Sequence, residues 1–200
     1  MSAKVSAMSD PMSARAARWE ALFAGGGDPW EFWSSAYEQE KFRACAAALP
    51  RRCGTALELG CAGGAFTRHL MRRCDHVLAL DLSREALAAA QQRLAGPGVT
   101  FRRADLPGDW PAGSFDLVVF SEILYYFTPA EIVDLAARTA AALRPGGRIL
   151  LVNWLGETGE PLSGAEAARL FLDACPPALR TETDASGPGG DYRLTLLARP

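Results

Sequence analysis

Three carboxylates, Glu58, Asp81 and Asp105, each stand within or just after a short apolar run: TALELG, HVLALD and VTFRRAD. An acid at the end of a strand is placed to accept hydrogen bonds from a ligand lying along the edge of a sheet. Between the first two acids comes a glycine turn, Gly60-Cys61-Ala62-Gly63-Gly64, where a missing Cβ lets a ligand lie against the backbone. Asp81 follows Gly60 by about 20 residues, the interval at which a carboxylate meets the two hydroxyls of a ribose. A dinucleotide turn of the form GxGxxG would put glycine at 60, 62 and 65, but two of these are Ala62 and Ala65, which weakens a pyrophosphate site. No Gly-Lys-Ser/Thr follows, so no triphosphate loop is implied. A fourth acid, Glu122, comes after the run FDLVVFS and before Tyr125 and Tyr126. A carboxylate there suits the orientation of an amine and the removal of its proton.

The other titratable residues narrow the chemistry by where they fall. His69 lies in the helical stretch after the glycine turn and His76 opens the second apolar run at the far edge, so a histidine base is disfavoured. Tyr37 and Lys41 have the YxxxK spacing of a short-chain dehydrogenase pair. They precede the first glycine turn, whereas that pair follows the central strands, so the spacing is coincidental. Cys45, Cys53, Cys61, Cys74 and Cys175 form no CxxC or CxxH pair; no metal site is expected, and they read as free thiols in a reducing cytoplasm. A formal charge of -2 and a pI near 5.7 supply no basic field for nucleic acid or anionic lipid. No apolar run approaches the roughly 20 residues of a membrane helix.

The elements that must position these residues follow from periodicity and punctuation. Two hundred residues, 49% hydrophobic, suffice for one compact domain. Short apolar runs at 55–60, 76–81, 99–104, 115–121 and 148–153 alternate with helical patterns, the order of a parallel sheet covered on both faces. Helices are expected over 64–73, after the Ser83 N-cap, from Thr128-Pro129 to Leu143, and from Ser163 to Ala174; Glu131 and Glu166 complete capping boxes. Pro145-Gly146-Gly147 should stop the third of these. Runs at 179–184 and 192–198, joined by SGPGG, read as an antiparallel hairpin. Ahead of the sheet, 14–23 reads as a helix, 25–29 as a hinge and 30–49 as an aromatic-rich helical segment.

The string ALELGCAGGAF, residues 56–66, resembles motif I of class I S-adenosylmethionine-dependent methyltransferases, and five parallel units closed by a hairpin match that family's order of elements. LFAGGGDPWEFWSSAYEQEKF (22–42), SEILYYF (121–127) and DYRLTLL (191–197) are similar to strings of the NodS-like methyltransferases. The namesake of that family N-methylates the free amine of a de-acetylated glucosamine on a chitooligosaccharide. The resemblance implies an α/β, Rossmann-like, seven-stranded, mostly parallel sheet with helices on both faces and a C-terminal antiparallel hairpin. It implies S-adenosylmethionine as methyl donor and S-adenosylhomocysteine as product, held by Glu58, Gly60, Cys61, Ala62, Gly64, Asp81, Leu82, Asp105, Leu106 and Ser121, with Asp105 at the adenine amino group. The acceptor would be a small molecule, an amino sugar or related amine, served by Glu122. Trp30, Trp33, Tyr37, Tyr125, Tyr126 and Trp154 would supply aromatic surfaces that exclude water and stack on a sugar ring. Trp33 departs from the pattern, since an arginine is expected there in close relatives. Residues 1–12, rich in small polar residues, read as a disordered tail, the aromatic-rich helical segment 13–54 as a lid, and 55–200 as the cofactor-binding core. A small-molecule O-methyltransferase and, further off, a nucleotide-dependent oxidoreductase are the rival readings. A nucleic-acid methyltransferase would carry a DPPY-type string where this chain has SEILYY.

Overall fold

The computed structural model describes residues 14–24 and 28–200. The expected tail, 1–12, and part of the expected hinge at 25–29 lie outside them. Five strands are parallel: β1 (Cys53–Leu59), β2 (Cys74–Asp81), β3 (Val99–Arg103), β4 (Phe115–Ser121) and β5 (Leu143–Trp154). β6 (Arg180–Ser186) and β7 (Tyr192–Ala198) form the hairpin, with β7 antiparallel to β5. The spatial order is β3-β2-β1-β4-β5-β7-β6, so the chain winds outward in both directions from β1 and β4. A crevice opens at the carboxyl ends of strands where such a winding reverses.

From Leu117 onward in β4, and through β1 and the second half of β5, side chains alternate between the two faces of the sheet. Leu57, Leu59, Val118, Phe120, Ile149 and Leu151 pack on one face with Ile132, Leu135 and Phe171 of α5 (Pro129–Ala142) and α6 (Gly164–Ala174). Ala56, Leu117, Val119, Leu150 and Val152 pack on the other with Phe42, Cys45, Leu70 and Leu87, which come from α2 (Ala36–Ala48), α3 (Thr67–Leu70) and α4 (Arg84–Leu94). A strand buried on both faces needs no polar side, which is why FDLVVFS reads as an unbroken apolar run. Each fully buried side chain of this size contributes about 1.5–3 kcal/mol. Among the described residues no helix is long and apolar enough to cross a membrane.

Both capping boxes form as the residues dictate. Thr128 Oγ1 accepts from Glu131 N–H at 3.3 Å and Glu131 Oε2 from Thr128 N–H at 2.8 Å; Ser163 and Glu166 repeat the exchange at 3.2 and 2.9 Å. Four expectations need correction. The helix over 64–73 shrinks to α3, because Gly64 is left-handed (φ +82°) and turns precede Thr67. The helical segment at 30–49 starts only at Ala36, capped by Ser35, since Glu31 is left-handed (φ 54°) and residues 28–34 close as turns. Pro145-Gly146-Gly147 sits inside β5, not before it: the Gly146 N–H donates to Arg199 O and the Arg199 N–H to Gly147 O, both at 2.9 Å. Cys53 and Cys74 form a disulfide, leaving Cys45, Cys61 and Cys175 free. Parallel pairing sets those two residues opposite each other on β1 and β2, with Cα atoms 4.6 Å apart, a proximity that a separation of 21 residues conceals.

Candidate active site

The carboxyl ends of the central strands open into a cavity of about 450 Å³, within the range of small-molecule sites. Gly60 (φ +72°) forms its floor, and a Cβ there would collide with Ile123. A Cβ on Gly64 would instead stand 2.8 Å from Leu94 Cδ1 and 3.2 Å from Ala90 Cβ. Gly64 therefore serves the packing of α4, not the ligand space expected of it, and does not line the cavity. Asp81 ties the site together: its Oδ2 accepts from the Ala62 N–H at 2.8 Å and its Oδ1 from the Ser83 N–H at 2.9 Å. Burial holds its carboxyl above the usual range, although those N–H groups oppose the rise. Two bonds leave half of the carboxylate's lone pairs for a ligand, the number a ribose diol needs. Leu82, Asp105, Leu106 and Ser121 line the same cavity with Gly60, Ala62 and Asp81, so a nucleoside and its sulfur-bearing side chain fit the residues present.

Glu58 and Cys61 border a second, small cavity that shares Gly60, Ala62, Ser121 and Glu122 with the first. Glu58 is buried and accepts from Thr67 Oγ1 at 2.6 Å; burial pushes its carboxyl up to about 8. It braces the turn from behind.

Glu122 follows β4 in a left-handed conformation (φ 56°), as does Ala62 (φ 46°) in the glycine turn. Non-glycine residues held there cost about 1–3 kcal/mol each and tend to cluster at functional sites. Both carboxylate oxygens of Glu122 are engaged: Oε1 accepts from Lys41 Nζ at 2.9 Å, and Oε2 from Trp154 N–H at 2.6 Å and Tyr125 OH at 3.1 Å. Burial beside Glu122 lifts the Tyr125 phenol far above its ordinary value, so it remains a donor. Tyr37 and Trp154 meet edge to face across this end of the cavity, centroids 6.3 Å apart, and Tyr126 packs on Tyr125 at 4.6 Å. Trp30 also lines the cavity, stacked on Phe32 at 5.3 Å.

Trp33 does not join them. It faces the opposite side of the turn, its Nε1–H donating to Gly63 O at 3.1 Å and its ring flanked by the guanidinium groups of Arg68 and Arg93 at 4.8 and 5.3 Å. The turn at 28–34 causes this, for a helix would have kept Trp30 and Trp33 on one face. His69 is buried beside Phe42 and Phe66, with burial driving its imidazole down to about 4, and it does not touch the cavity.

Several wall residues escaped the sequence reading. Lys41, dismissed as half of a coincidental YxxxK, is only 3% exposed and bridges Glu38 and Glu122. Burial alone would lower its ammonium, yet the two carboxylates hold it above the ordinary range. α1 (Ala14–Phe23) covers the cavity with Arg15, Trp19 and Phe23. Arg15 donates to Leu106 O at 2.9 Å and to Glu131, Arg18 pairs with Glu160, and Glu20 accepts from Ser83 Oγ and Arg84 N–H, each at 2.9 Å. The signal was present as Trp19 and Phe23, four apart on one face.

A cavity of this size at the switch point of a doubly wound sheet, with a buried acid at one end and a fixed carboxylate among aromatics at the other, has the form of a nucleoside-binding enzyme site. A methyltransferase-domain family model matches residues 56–147. A Pseudomonas syringae protein assigned as a methyltransferase is 34% identical, with 82% of this chain and 100% of that one covered and a TM-score of 0.71. Nodulation protein S of Bradyrhizobium diazoefficiens is 31% identical over 120 residues, 58% of this chain. The match covers 57% of that relative's own length, less than two thirds. N-methyltransferase NodS of Bradyrhizobium japonicum, solved with S-adenosyl-L-homocysteine, has the same fold: TM-score 0.79 at 22% identity, covering 92% of this chain and 98% of that one. The chain belongs to the class I S-adenosylmethionine-dependent methyltransferases.

Proposed function

We propose that this chain transfers the methyl group of S-adenosylmethionine to a primary amine on a small molecule, with a glucosamine-type amino sugar as the acceptor class. The observation that carries it is Glu122, a carboxylate fixed by Lys41, Tyr125 and the Trp154 backbone at the aromatic end of the cavity. A wall carrying Glu122 and Glu38 around one ammonium, Lys41, suits an amine better than a neutral hydroxyl, and the N-methyltransferase name of NodS points the same way. When bound, the cofactor supplies a methyl carbon already activated by a sulfonium. The chain's own residues then orient and desolvate the acceptor. In this reading Asp81 takes the ribose hydroxyls, Asp105 the adenine amino group, and the described residues of the segment 13–54 form the lid over a core at 55–200. Trp30, Tyr37, Tyr125, Tyr126 and Trp154 contact the sugar. The reading carries with it an enzyme of small-molecule metabolism; the Cys53–Cys74 disulfide removes the free-thiol ground for a cytoplasmic location.

The test compares de-acetylated and N-acetylated glucosamine oligomers of equal length with a labelled methyl donor. Label on the de-acetylated oligomer alone, at a rate that rises with pH until the amine is neutral, is the expected result. No transfer to either oligomer, together with rapid methylation of a phenol or carboxylate, would replace this reading with an O-methyltransferase.

A further inference from the structure

Glu38 lies on α2 with its carboxylate in the cavity wall, and it shares one cation, Lys41, with Glu122. A carboxylate offers about four lone-pair positions. Among the described residues the Glu122 side chain accepts three hydrogen bonds, from Lys41, Tyr125 and the Trp154 N–H, whereas that of Glu38 accepts one, from Lys41 at 3.1 Å. The other oxygen of Glu38, Oε2, is buried and lies 2.9 Å from Lys41 Nζ without hydrogen-bond geometry. One acid is thus filled, and the other keeps unpaired lone pairs. Two carboxylates and one ammonium leave a single negative charge among Tyr37, Tyr125 and Trp154. A further cation completes that balance, whereas a neutral hydroxyl would leave it short.

We propose that Glu38 is a catalytic residue that binds the acceptor's amine and receives its proton, with Lys41 as the positioning residue that keeps Glu122 filled. This rests on the amine reading above. The bound ammonium gives one proton to the Glu38 carboxylate. The freed lone pair forms a bond to the methyl carbon as the methyl–sulfur bond breaks and leaves its electrons on sulfur. The product departs as a methylammonium, and Glu38 returns its proton to water. The groups facing Glu38 fit this role. Burial raises its carboxyl above the usual range, Lys41 from the same helix opposes the rise, and Glu122 from the end of β4 and Asp28 from the turn before α2 add to it.

The probe is a fully de-acetylated chitotetraose, with the N-acetylated tetramer as control, offered to the parent enzyme and to Glu38→Gln, Glu38→Asp and Glu122→Gln. In Glu38→Gln, calorimetry should give an unchanged affinity for S-adenosylhomocysteine. The affinity of that binary complex for the de-acetylated probe should fall at least about tenfold, with that for the control unchanged. Methyl transfer should fall about a hundredfold near neutral pH. The loss should shrink as pH rises and the amine arrives neutral, and Glu38→Asp should recover part of it. A loss equal at every pH, no loss, or the pH-dependent loss appearing in Glu122→Gln instead would overturn the role of Glu38. Failure of the parent enzyme to methylate any amine overturns the amine reading and this role together. Transfer by the parent with an unaffected Glu38→Gln overturns only this role.

Discussion

Asp81 holds the Ala62 and Ser83 N–H groups while facing the cavity, so its removal has two separable effects. Asp81→Ala should weaken cofactor binding by about 1–3 kcal/mol, because two ribose hydroxyls lose a charged acceptor. Calorimetry with S-adenosylhomocysteine measures this, and an affinity equal to the parent's would remove Asp81 from the site. Glu58 makes a different prediction. Its carboxyl is raised to about 8 by burial in the folded state and titrates near 4.5 when exposed. The folded chain therefore prefers the protonated form. Its stabilising contribution is complete below about 4.5 and is lost as pH rises through about 8. The melting temperature of the unliganded protein should drop over that window, by roughly 5–10 °C if the loss is a few kcal/mol. Glu58→Gln should flatten the drop, and a wild-type profile flat from pH 5 to 8 would show that Glu58 is ionised in place. Asp81 and Glu122 were legible because each ends an apolar run whose direction the sequence reveals. Lys41 was not, since the partner that gives it meaning is 81 residues away.

At the level of elements, legibility follows how local the cause is. The capping boxes at Thr128 and Ser163 are closed within four residues and could be read directly. The outcome at Gly64, Glu31 and Pro145-Gly146-Gly147 depends on α4, on the turn before α2 and on the C-terminal strand, which no local pattern encodes. α1 is the clearest case, because its apolar face was visible but what it covers was not. Glu20 anchors it by accepting N–H bonds at the start of α4. Slight burial raises the Glu20 carboxyl, but the Arg84, Ser83 and Glu85 donors outweigh that and leave it below the ordinary range. A depressed carboxyl contributes stability above its unfolded value and loses it as pH falls, so α1 should loosen in acid. Glu20→Ala should produce the same loosening at neutral pH, worth about tenfold in the hydrogen exchange of residues 14–23. The amides of β1 and β4 should be unaffected. Equal protection of 14–23 in both proteins would show that the Trp19 and Phe23 contacts alone hold the helix.

For the whole molecule, the fold frames a deep opening at the carboxyl ends of its central strands, and its stability should respond to whatever fills that opening. The sheet's winding puts the glycine turn, Asp81, Asp105 and Glu122 on one edge although they come from four separate strand ends. Any ligand that bridges them binds only the folded chain, and so must raise its stability by mass action. At a hundredfold excess over its dissociation constant, that is about 2.7 kcal/mol. For a chain of this size the melting temperature should then rise by roughly 5–10 °C. S-adenosylhomocysteine is the right probe, since it occupies the donor site without reacting. A nicotinamide dinucleotide at the same concentration is the control: with Ala62 and Ala65 in place of two fingerprint glycines, it should leave the melting temperature unchanged. A shift with the dinucleotide and none with S-adenosylhomocysteine would contradict the family assignment itself. A shift with S-adenosylhomocysteine that Asp81→Ala abolishes and Glu122→Gln preserves would divide the cavity into a donor end and an acceptor end, as the placement of those two acids requires.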